Sequence, residues 1–383
     1  MAQQLTHLMA SLETTDDGNE DNYTQQTQIY AKNSMDRFGD DLCALLVSYF
    51  PLEYRFRYEC VSKQFQRTVF GSVVDIRINY RLIQQIVNKN SKMNETIKTI
   101  ATKCPNIATI DCREMNKSFD NRIPEVLNTF HDNCRHLREI YYNLRRNYFQ
   151  WIPKLSPFVT RIGSVSAKHS LIQCHRLSHL SVTTLRDVFD DYSHQLMAKN
   201  LLGFEFTFRL KEDNKHMFWE FVTENQSLQS LTINAIKVKN ADTITELIQQ
   251  LSRLLHLRDL KLEFLEFFIP ISSLNDFLLT IGVNCKQLKR LSLVLGAQIT
   301  EINVQSWDQL KCFPKLKRLN LHFNSQLIYL SIPCKRLTHL SIKCSQMNSN
   351  LLDNCHELWP RLQYLLVKNQ YFERFPGCVF KNS

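Results

Sequence analysis

The feature that most constrains the fold is a short phrase that recurs along most of the 383-residue chain. It runs aliphatic, two variable residues, aliphatic, one variable residue, apolar, and a Cys or a bulky side chain stands three positions before it. Units of about 20 to 30 residues that repeat such a phrase each add one strand and one helix or turn to a solenoid. The sequence therefore predicts an α/β solenoid with parallel strands inside and helices outside. The first aliphatic positions are Ile107, Leu137, Leu177, Leu228, Leu257, Leu288, Leu316, Leu337 and Leu362.

The spacing of the copies predicts two further, degenerate units. Two intervals, of 40 and 51 residues, exceed the rest, and the segments 158–165 and 200–206 would fill them with one strand each. Another copy, in segment 325–333, begins only 11 residues after Leu316. A turn-linked extra strand and a shortened repeat explain this copy equally well. Between strands, segment 243–255 predicts an outer helix, because apolar residues recur there at helical spacing. Those residues are Ile244, Leu247, Ile248, Leu251, Leu254 and Leu255.

Composition narrows the class of protein. The chain is 44% hydrophobic and 22% charged, which is typical of folded soluble proteins. No run approaches the roughly 18 apolar residues of a membrane span, and the N-terminus lacks the basic and apolar regions of a signal peptide. The twelve cysteines form no CxxC pair, so reduced thiols in the cytoplasm or nucleus are expected. Glycines come no closer together than Gly282 and Gly296, which excludes glycine-rich phosphate-binding loops.

The first 34 residues differ from the rest of the chain. They contain five acidic residues and one lysine, Lys32, among many Gln, Asn and Thr residues. Such a segment cannot bury enough apolar surface to order itself, so residues 1–34 are predicted to form a disordered acidic and polar tail. A solvated tail is the favoured interpretation, and a contact with the basic remainder of the chain is the alternative. The acidic residues are Glu13, Asp16, Asp17, Glu20 and Asp21.

The next segment, residues 36–70, predicts two helices around a proline corner. The first carries apolar residues at helical spacing, with Asp40 and Asp41 at its start and Pro51 at its end. A second apolar stripe, Tyr54, Tyr58, Val61 and Phe65, indicates one further helix. Two short helices cannot enclose a core, so either the following domain or a partner has to cover them. The first stripe is Leu42, Leu45, Leu46, Tyr49 and Phe50.

This segment resembles an F-box. The family's three phrases are matched by Phe38-Gly39-Asp40-Asp41-Leu42, Val47-Ser48-Tyr49-Phe50 and Val61-Ser62-Lys63-Gln64-Phe65. Gly39, Ser62 and Phe65 replace the family's usual Pro, Cys and Trp. Together with the repeats, the order of these phrases resembles F-box and leucine-rich-repeat proteins. The expected domains are the tail at 1–34, the F-box at 35–75 and a leucine-rich-repeat solenoid at 76–383.

The resemblance implies a non-catalytic role without a cofactor. An F-box docks on the Skp-type adaptor of an SCF (Skp-cullin-F-box) ubiquitin ligase, and through it reaches cullin, while the repeats hold the protein to be ubiquitinated. The alternative for the matching side chains is a role only in the internal core of the F-box. The residues carried over to the adaptor contact are Phe38, Leu42, Leu46, Pro51, Leu52, Val61 and Phe65.

One segment has the residue types of a metal site. His169, Cys174, His175 and His179 lie within eleven residues. However, Cys174 occupies the position before the repeat phrase that other units fill with Cys, Phe or Trp, which indicates a buried packing position. Because ligand number and spacing also fit poorly, we predict no metal site here. No Ser, Cys or His lies in a recognised catalytic frame, so a catalytic function is the third hypothesis.

Basic residues predict a partner surface near the end of the chain. Strand residues alternate between two faces, so the variable positions of the phrase point to the concave side. A solvated strand face is the alternative to a binding surface for an acidic or phosphorylated target protein. The formal net charge of +10 also permits a scaffold for nucleic acid, but the sequence shows no aromatic platforms or recognised nucleic-acid module. The candidate target-binding residues are Arg290, Arg318, His339, Lys343, Tyr364 and Lys368.

Overall fold

The fold is an open parallel sheet covered by helices on one face, as seen in a computed structural model. Phe38, one of the residues predicted for adaptor contact, and the predicted tail at 1–34 lie outside the described residues. The structure describes residues 39–61, 63–79, 82, 93–114, 123–144, 152–165, 168–208, 213–238, 241–267, 272–296, 304–323, 326–327, 332, 334–347, 355–369 and 380–381.

The main sheet follows the chain order. Its described strands are all parallel except the last, which pairs antiparallel with its neighbour. They are β1 (Asp75–Arg77), β2 (Thr109–Asp111), β3 (Glu139–Leu144), β4 (Val159–Val165), β5 (His179–Thr184), β6 (Gly203–Thr207), β7 (Ser230–Val238), β8 (Asp259–Phe267), β9 (Arg290–Leu295), β10 (Arg318–Phe323), β12 (His339–Cys344), β14 (Tyr364–Asn369) and β15 (Phe380–Lys381). Two short strands, β11 (Gln326–Leu327) and β13 (Gln346–Met347), form a separate parallel pair.

Helices connect the strands and precede the sheet. The α-helices are α1 (Asp40–Ser48), α2 (Leu52–Tyr58), α3 (Lys63–Gly71), α4 (Met93–Lys103), α5 (Ile123–Asn133), α6 (Ile152–Leu155), α7 (Asp213–Glu224), α8 (Ala241–Ser252), α9 (Ser272–Asn284) and α10 (Cys355–Leu358). The described 3₁₀ helices are Ser156–Phe158, which directly follows α6, and Lys168–Gln173, Leu185–Val188 and Val304–Cys312.

The observed strands and helices can be compared with the repeat units predicted from the sequence. Both degenerate units are confirmed, because β4 and β6 occupy the segments predicted for them and pair in the sheet. Within segment 325–333, the extra-strand interpretation holds for Gln326–Leu327, which lies outside the main sheet. The predicted outer helix is shorter than expected, because α8 ends at Ser252. Leu255 then lies beyond the helix and is exposed, whereas the other predicted apolar residues of that face are buried.

Alternation along each strand builds a single continuous core. In β9, for example, Leu291, Leu293 and Leu295 are buried while Arg290 is exposed on the opposite face. The residue before the repeat phrase is buried too: the Sγ atom of Cys334 donates to the carbonyl oxygen of Leu310 in the preceding unit, at 3.3 Å. Burying each such apolar side chain stabilises the fold by roughly 1.5 to 3 kcal/mol.

The helical segment forms a three-helix module instead of the two helices predicted. The chain turns after Tyr58, so the predicted second helix is divided into α2 and α3. Its side chains cannot form one stripe, and Phe65 is buried while Tyr54 and Tyr58 are exposed. Arg55 holds the helices together, because its guanidinium donates to the carbonyl oxygens of Phe50 at 3.0 Å and of Val69 at 3.3 Å.

The module packs directly against the first repeat. Lys103 at the end of α4 forms an ion pair with Glu59 and lies over the Phe70 ring, with 5.3 Å from Nζ to the ring centroid. The side-chain amide of Asn106 donates to the carbonyl oxygen of Gly71 at 2.9 Å. The buried side chains of the module and of the sheet belong to one cluster, so the following domain covers part of the module. Among the described helices, none is long and apolar enough to cross a membrane.

Candidate partner-binding surfaces

The module exposes an apolar surface on the side away from its core. We call this surface the helical face: Leu45, Tyr49, Phe50, Tyr54, Tyr58 and Val61, each between 40% and 68% exposed. The core beneath it consists of other residues, including Cys43, Val47 and Val69, which are fully buried. Three aromatic rings of the helical face lie together, with centroids 5.8 Å apart for Phe50 and Tyr58 and 6.4 Å apart for Tyr54 and Tyr58.

The residues predicted for adaptor contact are distributed between surface and core. Pro51 and Val61 are exposed, and a second group is half-buried at the edge of the helical face, namely Leu42, Leu46 and Leu52. Phe65 requires a correction, because it is only 4% exposed and packs in the module core, where it cannot contact a partner directly. The helical face also contains Leu45, Tyr49, Phe50, Tyr54 and Tyr58, which were not among the residues predicted for adaptor contact. Their apolar spacing was visible in the sequence, but which side of each helix faced the core was not.

The predicted basic residues of the repeats do align across neighbouring strands. Arg290, Arg318, His339 and Tyr364 occupy the same register position in β9, β10, β12 and β14. A second row contains His322, Lys343 and Lys368. Neighbouring strands lie about 4.8 Å apart, so each row presents closely spaced polar groups on the concave face, the face opposite the helices.

Contacts within these rows reduce how many of the groups remain available. Arg290 donates from Nε to Asp259 Oδ2 at 2.7 Å. The His339 ring stacks on the Tyr364 ring with centroids 5.7 Å apart, and its Nδ1 lies 2.9 Å from Thr338 Oγ1. Burial and then the neighbouring charge of Arg318 lower the pKa of His339. His339 and Tyr364 therefore form an aromatic pair beside the cations.

A depression of about 440 Å³ lies at the amino-terminal ends of the central strands. It includes Arg258, Lys289 and Lys317, which were not among the predicted site residues and which each stand directly before a strand. The signal was present in the sequence, because basic residues precede the strand in successive copies of the repeat phrase. We call this depression the basic pocket; its lining residues are His179, Leu202, Gln229, Ser230, Arg258, Asp259, Lys289, Arg290, Lys317 and Arg318.

A different arrangement of charged residues lies on the concave face of the first strands. The carboxylate of Asp111 accepts hydrogen bonds from Arg113 Nε at 2.9 Å and Nη2 at 2.8 Å, and Arg77 Nε lies 3.7 Å away. The Tyr141 ring lies within cation–π distance of two guanidinium groups, 5.2 Å for Arg113 and 4.9 Å for Arg161. We call these five residues the arginine–tyrosine cluster. Sequence reasoning missed it, since the residues lie on or just after four different strands, β1 to β4.

The segment with mixed His and Cys residues has a packing role. Cys174 is buried, and burial raises the pKa of its thiol to about 12. His179 lies on β5, where its Nδ1 is 2.9 Å from Ser178 Oγ. The part of the chain that the structure describes contains no group of three or more His, Cys, Asp or Glu residues arranged to hold a metal ion.

The chain was compared with known families, protein sequences and structures. No protein-family model matches the chain, and no curated protein sequence matches it significantly. A chain from the crystal structure of the yeast Rad7 and Elc1 complex is similar over 88% of this chain and 91% of its own length, with a TM-score of 0.51 and 13% identity. The leucine-rich repeat-containing protein LegL7 from Legionella pneumophila covers 77% of this chain and 91% of its own length, with a TM-score of 0.40 and 13% identity. With its parallel sheet and repeated units, the chain is an α/β leucine-rich-repeat solenoid.

Proposed function

We propose that this protein is the substrate-binding subunit of an SCF-type ubiquitin ligase in the cytoplasm or nucleus. The helical face docks on a Skp-type adaptor, which connects the chain to cullin, and the concave face holds a target protein with acidic or phosphorylated groups. The chain itself is non-catalytic in this proposal. It raises the effective concentration of the target near the ligase, which accelerates transfer without any chemistry by the chain.

The observation that carries the proposal is the apolar helical face above a separate buried core. Scattered exposed apolar residues are normal on proteins, but a contiguous patch rich in aromatic rings is typical of a protein interface. The module already has its own core in Cys43, Val47, Phe65 and Val69, so the exposed residues are not needed for internal packing. The structural resemblance to a chain from the Rad7 and Elc1 complex, which is an assembly of two proteins, is consistent with a protein partner.

The helical face can be tested with the double variant Leu45→Asp/Tyr49→Asp. Both side chains are more than half exposed, so the free protein should remain folded. An unpaired carboxylate buried at an interface costs several kcal/mol, and adaptor binding should therefore weaken by at least about 100-fold. Binding is measured with purified Skp-type adaptor. Phe65→Asp is unsuitable for this purpose, because it would place a charge in the module core.

A matched control is available on the repeats. Leu255 and Val283 are exposed to a similar extent, 55% and 50%, and lie on the side of the helices. Leu255→Asp/Val283→Asp adds the same charge to the protein and should leave adaptor binding unchanged. If the helical-face variant stays folded and still binds adaptor as the wild type does, the proposed function is wrong.

A further inference from the structure

The lining of the basic pocket extends across the strands from β5 to β10. His179 contributes from β5, and Ser230 contributes a small side chain from β7. The His179 ring lies against Gly203, since a Cβ atom on that glycine would be only 2.3 Å from His179 Cδ2. On the opposite side stand Arg290 and Arg318, which are adjacent in the register of β9 and β10. A volume of about 440 Å³ is in the range of sites that hold one small group with its flanking atoms.

Three of the cations are held in a row by the backbone. The amide of Lys289 donates to the carbonyl oxygen of Arg258 at 2.8 Å, and the amide of Lys317 donates to that of Lys289 at 2.9 Å. These hydrogen bonds fix the three residues at the spacing of neighbouring strands, about 4.8 Å. The fold therefore already holds these three residues close together. A bound anion has to immobilise only the ends of their side chains, so less conformational entropy is lost on binding.

The charges of the pocket are not balanced internally. Asp259 is the one acidic residue in the lining, and its carboxylate accepts the hydrogen bond from Arg290. Within the described part of the chain, Arg258, Lys289, Lys317 and Arg318 have no carboxylate within ion-pair distance, which leaves four positive charges around one depression. A carboxylate would compensate one of them, whereas a phosphate monoester carries about −1.5 to −2 and three acceptor oxygens. The pocket is better matched to the phosphate.

We propose that the basic pocket binds the phosphate of a phosphorylated side chain on an extended segment of the target protein. This proposal rests on the proposed function, because it names the chemistry by which the repeats hold their target. A protein segment is favoured over single-stranded nucleic acid, because the lining contains no Phe, Tyr or Trp on which successive bases would stack. In this proposal Arg258, Arg318 and the two lysines donate charge-assisted hydrogen bonds to the phosphate oxygens.

The test uses the full chain and three peptide libraries of otherwise random sequence. Their fixed central residue is phosphoserine, serine or aspartate, and binding is measured by fluorescence anisotropy. The pocket variant is Lys289→Glu/Lys317→Glu. The matched control is Lys286→Glu/Lys315→Glu, which makes the same change of charge at exposed lysines of the same two repeats outside the lining.

We expect the wild type to prefer the phosphoserine library over both others by at least about tenfold, since charge-assisted hydrogen bonds each contribute substantially to affinity. The pocket variant should lose that preference, and the control should retain it within about threefold because its two lysines do not line the pocket. Equal binding of all libraries, or equal losses in both variants, would overturn the proposal. So would tighter binding of a 12-nucleotide single-stranded DNA that depends on Lys289 and Lys317.

Adaptor binding is measured on the same preparations and separates the two proposals. If the wild type binds adaptor but shows no preference for the phosphoserine library, the proposal for the basic pocket is wrong and the proposed function still stands. Normal phosphoserine preference without adaptor binding would reject the ligase role instead. Thermal unfolding of each variant establishes that it is folded before either binding result is interpreted.

Discussion

Two regions of the sheet, the arginine–tyrosine cluster on the first strands and the basic pocket on the central strands, use the same residue types for different purposes. In the arginine–tyrosine cluster, Arg113 and Arg161 are engaged by a carboxylate or by an aromatic ring within the chain. In the basic pocket, Arg258 and Arg318 have no such carboxylate partner among the described residues. The difference teaches that an arginine on a repeat strand is informative about binding only when its partners are known. Paired arginines stabilise the solenoid, and unpaired ones remain available to a ligand.

The burial of Asp111 explains why the arginine–tyrosine cluster has a structural role. Asp111 is largely buried, and it accepts hydrogen bonds from the backbone amide and from two guanidinium nitrogens of Arg113. In the basic pocket, Asp259 makes its hydrogen bond to an Arg290 side chain that is 53% exposed. Ion pairs near solvent contribute little because water and salt screen them, whereas buried groups lose much when a partner is removed.

The largest effect that we expect to distinguish the arginine–tyrosine cluster from the basic pocket is on the stability of the protein. Asp111→Ala should lower the free energy of unfolding by about 2 kcal/mol, because it removes several charge-assisted hydrogen bonds from a buried site. Asp259→Ala removes a more exposed pair and should cost less than about 0.5 kcal/mol. Urea denaturation followed by circular dichroism measures both. If the two variants lose equal free energy of unfolding, the arginine–tyrosine cluster does not differ from the basic pocket in its structural role.

A second prediction concerns acid. Burial alone would raise the pKa of Asp111, but hydrogen bonds and charge from Arg113 outweigh it, so the pKa lies below its usual value. A carboxyl group with a lowered folded-state pKa contributes stability above its unfolded pKa of about 3.9, and that contribution is lost as pH falls through the folded-state pKa. Wild type should therefore exceed Asp111→Asn in stability at pH 7, with the difference declining below about pH 4. A difference that does not vary with pH would contradict this assignment.

A smaller effect is expected at His179, which lines the basic pocket and whose pKa responds to the arginines of the arginine–tyrosine cluster. Burial, and then the charge of Arg161, lower the pKa of His179, with Arg113 adding to the effect and Glu139 opposing it. Arg161→Ala removes one of the lowering charges, so the pKa of His179 should rise. Because a lowered histidine pKa reduces stability as pH falls below the unfolded value of about 6.5, the variant should also lose less stability on acidification. An NMR titration of the His179 ring measures the change, and an unchanged or lower pKa would contradict it.

The sequence predicted the repeat architecture because local periodicity determines it. The phrase located the strands, including degenerate β4 and β6, and alternation assigned Arg290 and Arg318 to the concave face. Side chains whose environment depends on tertiary contacts were predicted less well. Phe65 fits an apolar stripe whether it faces a partner or the core. Because the chain turns after Tyr58, Phe65 faces the core and not the surface.

The partners of the charged side chains were even harder to predict from the sequence. Arg113 and Arg161 are separated by 48 positions in the sequence, and only the pairing of neighbouring strands brings both to the Tyr141 ring. Arg258, Lys289 and Lys317 stand just before their strands, where period-two alternation has not begun and does not assign a face. The sequence therefore identified a basic region, but the pairing of charges required the structure.

The most direct test of the two proposed partner surfaces is quantitative mass spectrometry of co-purified proteins. Three forms of the chain are compared in the same cells: wild type, Leu45→Asp/Tyr49→Asp and Lys289→Glu/Lys317→Glu. We expect the first variant to lose the Skp-type adaptor and cullin while retaining other partners, and the second to retain the adaptor while losing phosphorylated proteins. If both variants lose the same proteins, or if neither loses any, the chain does not use the helical face and the basic pocket as independent binding surfaces.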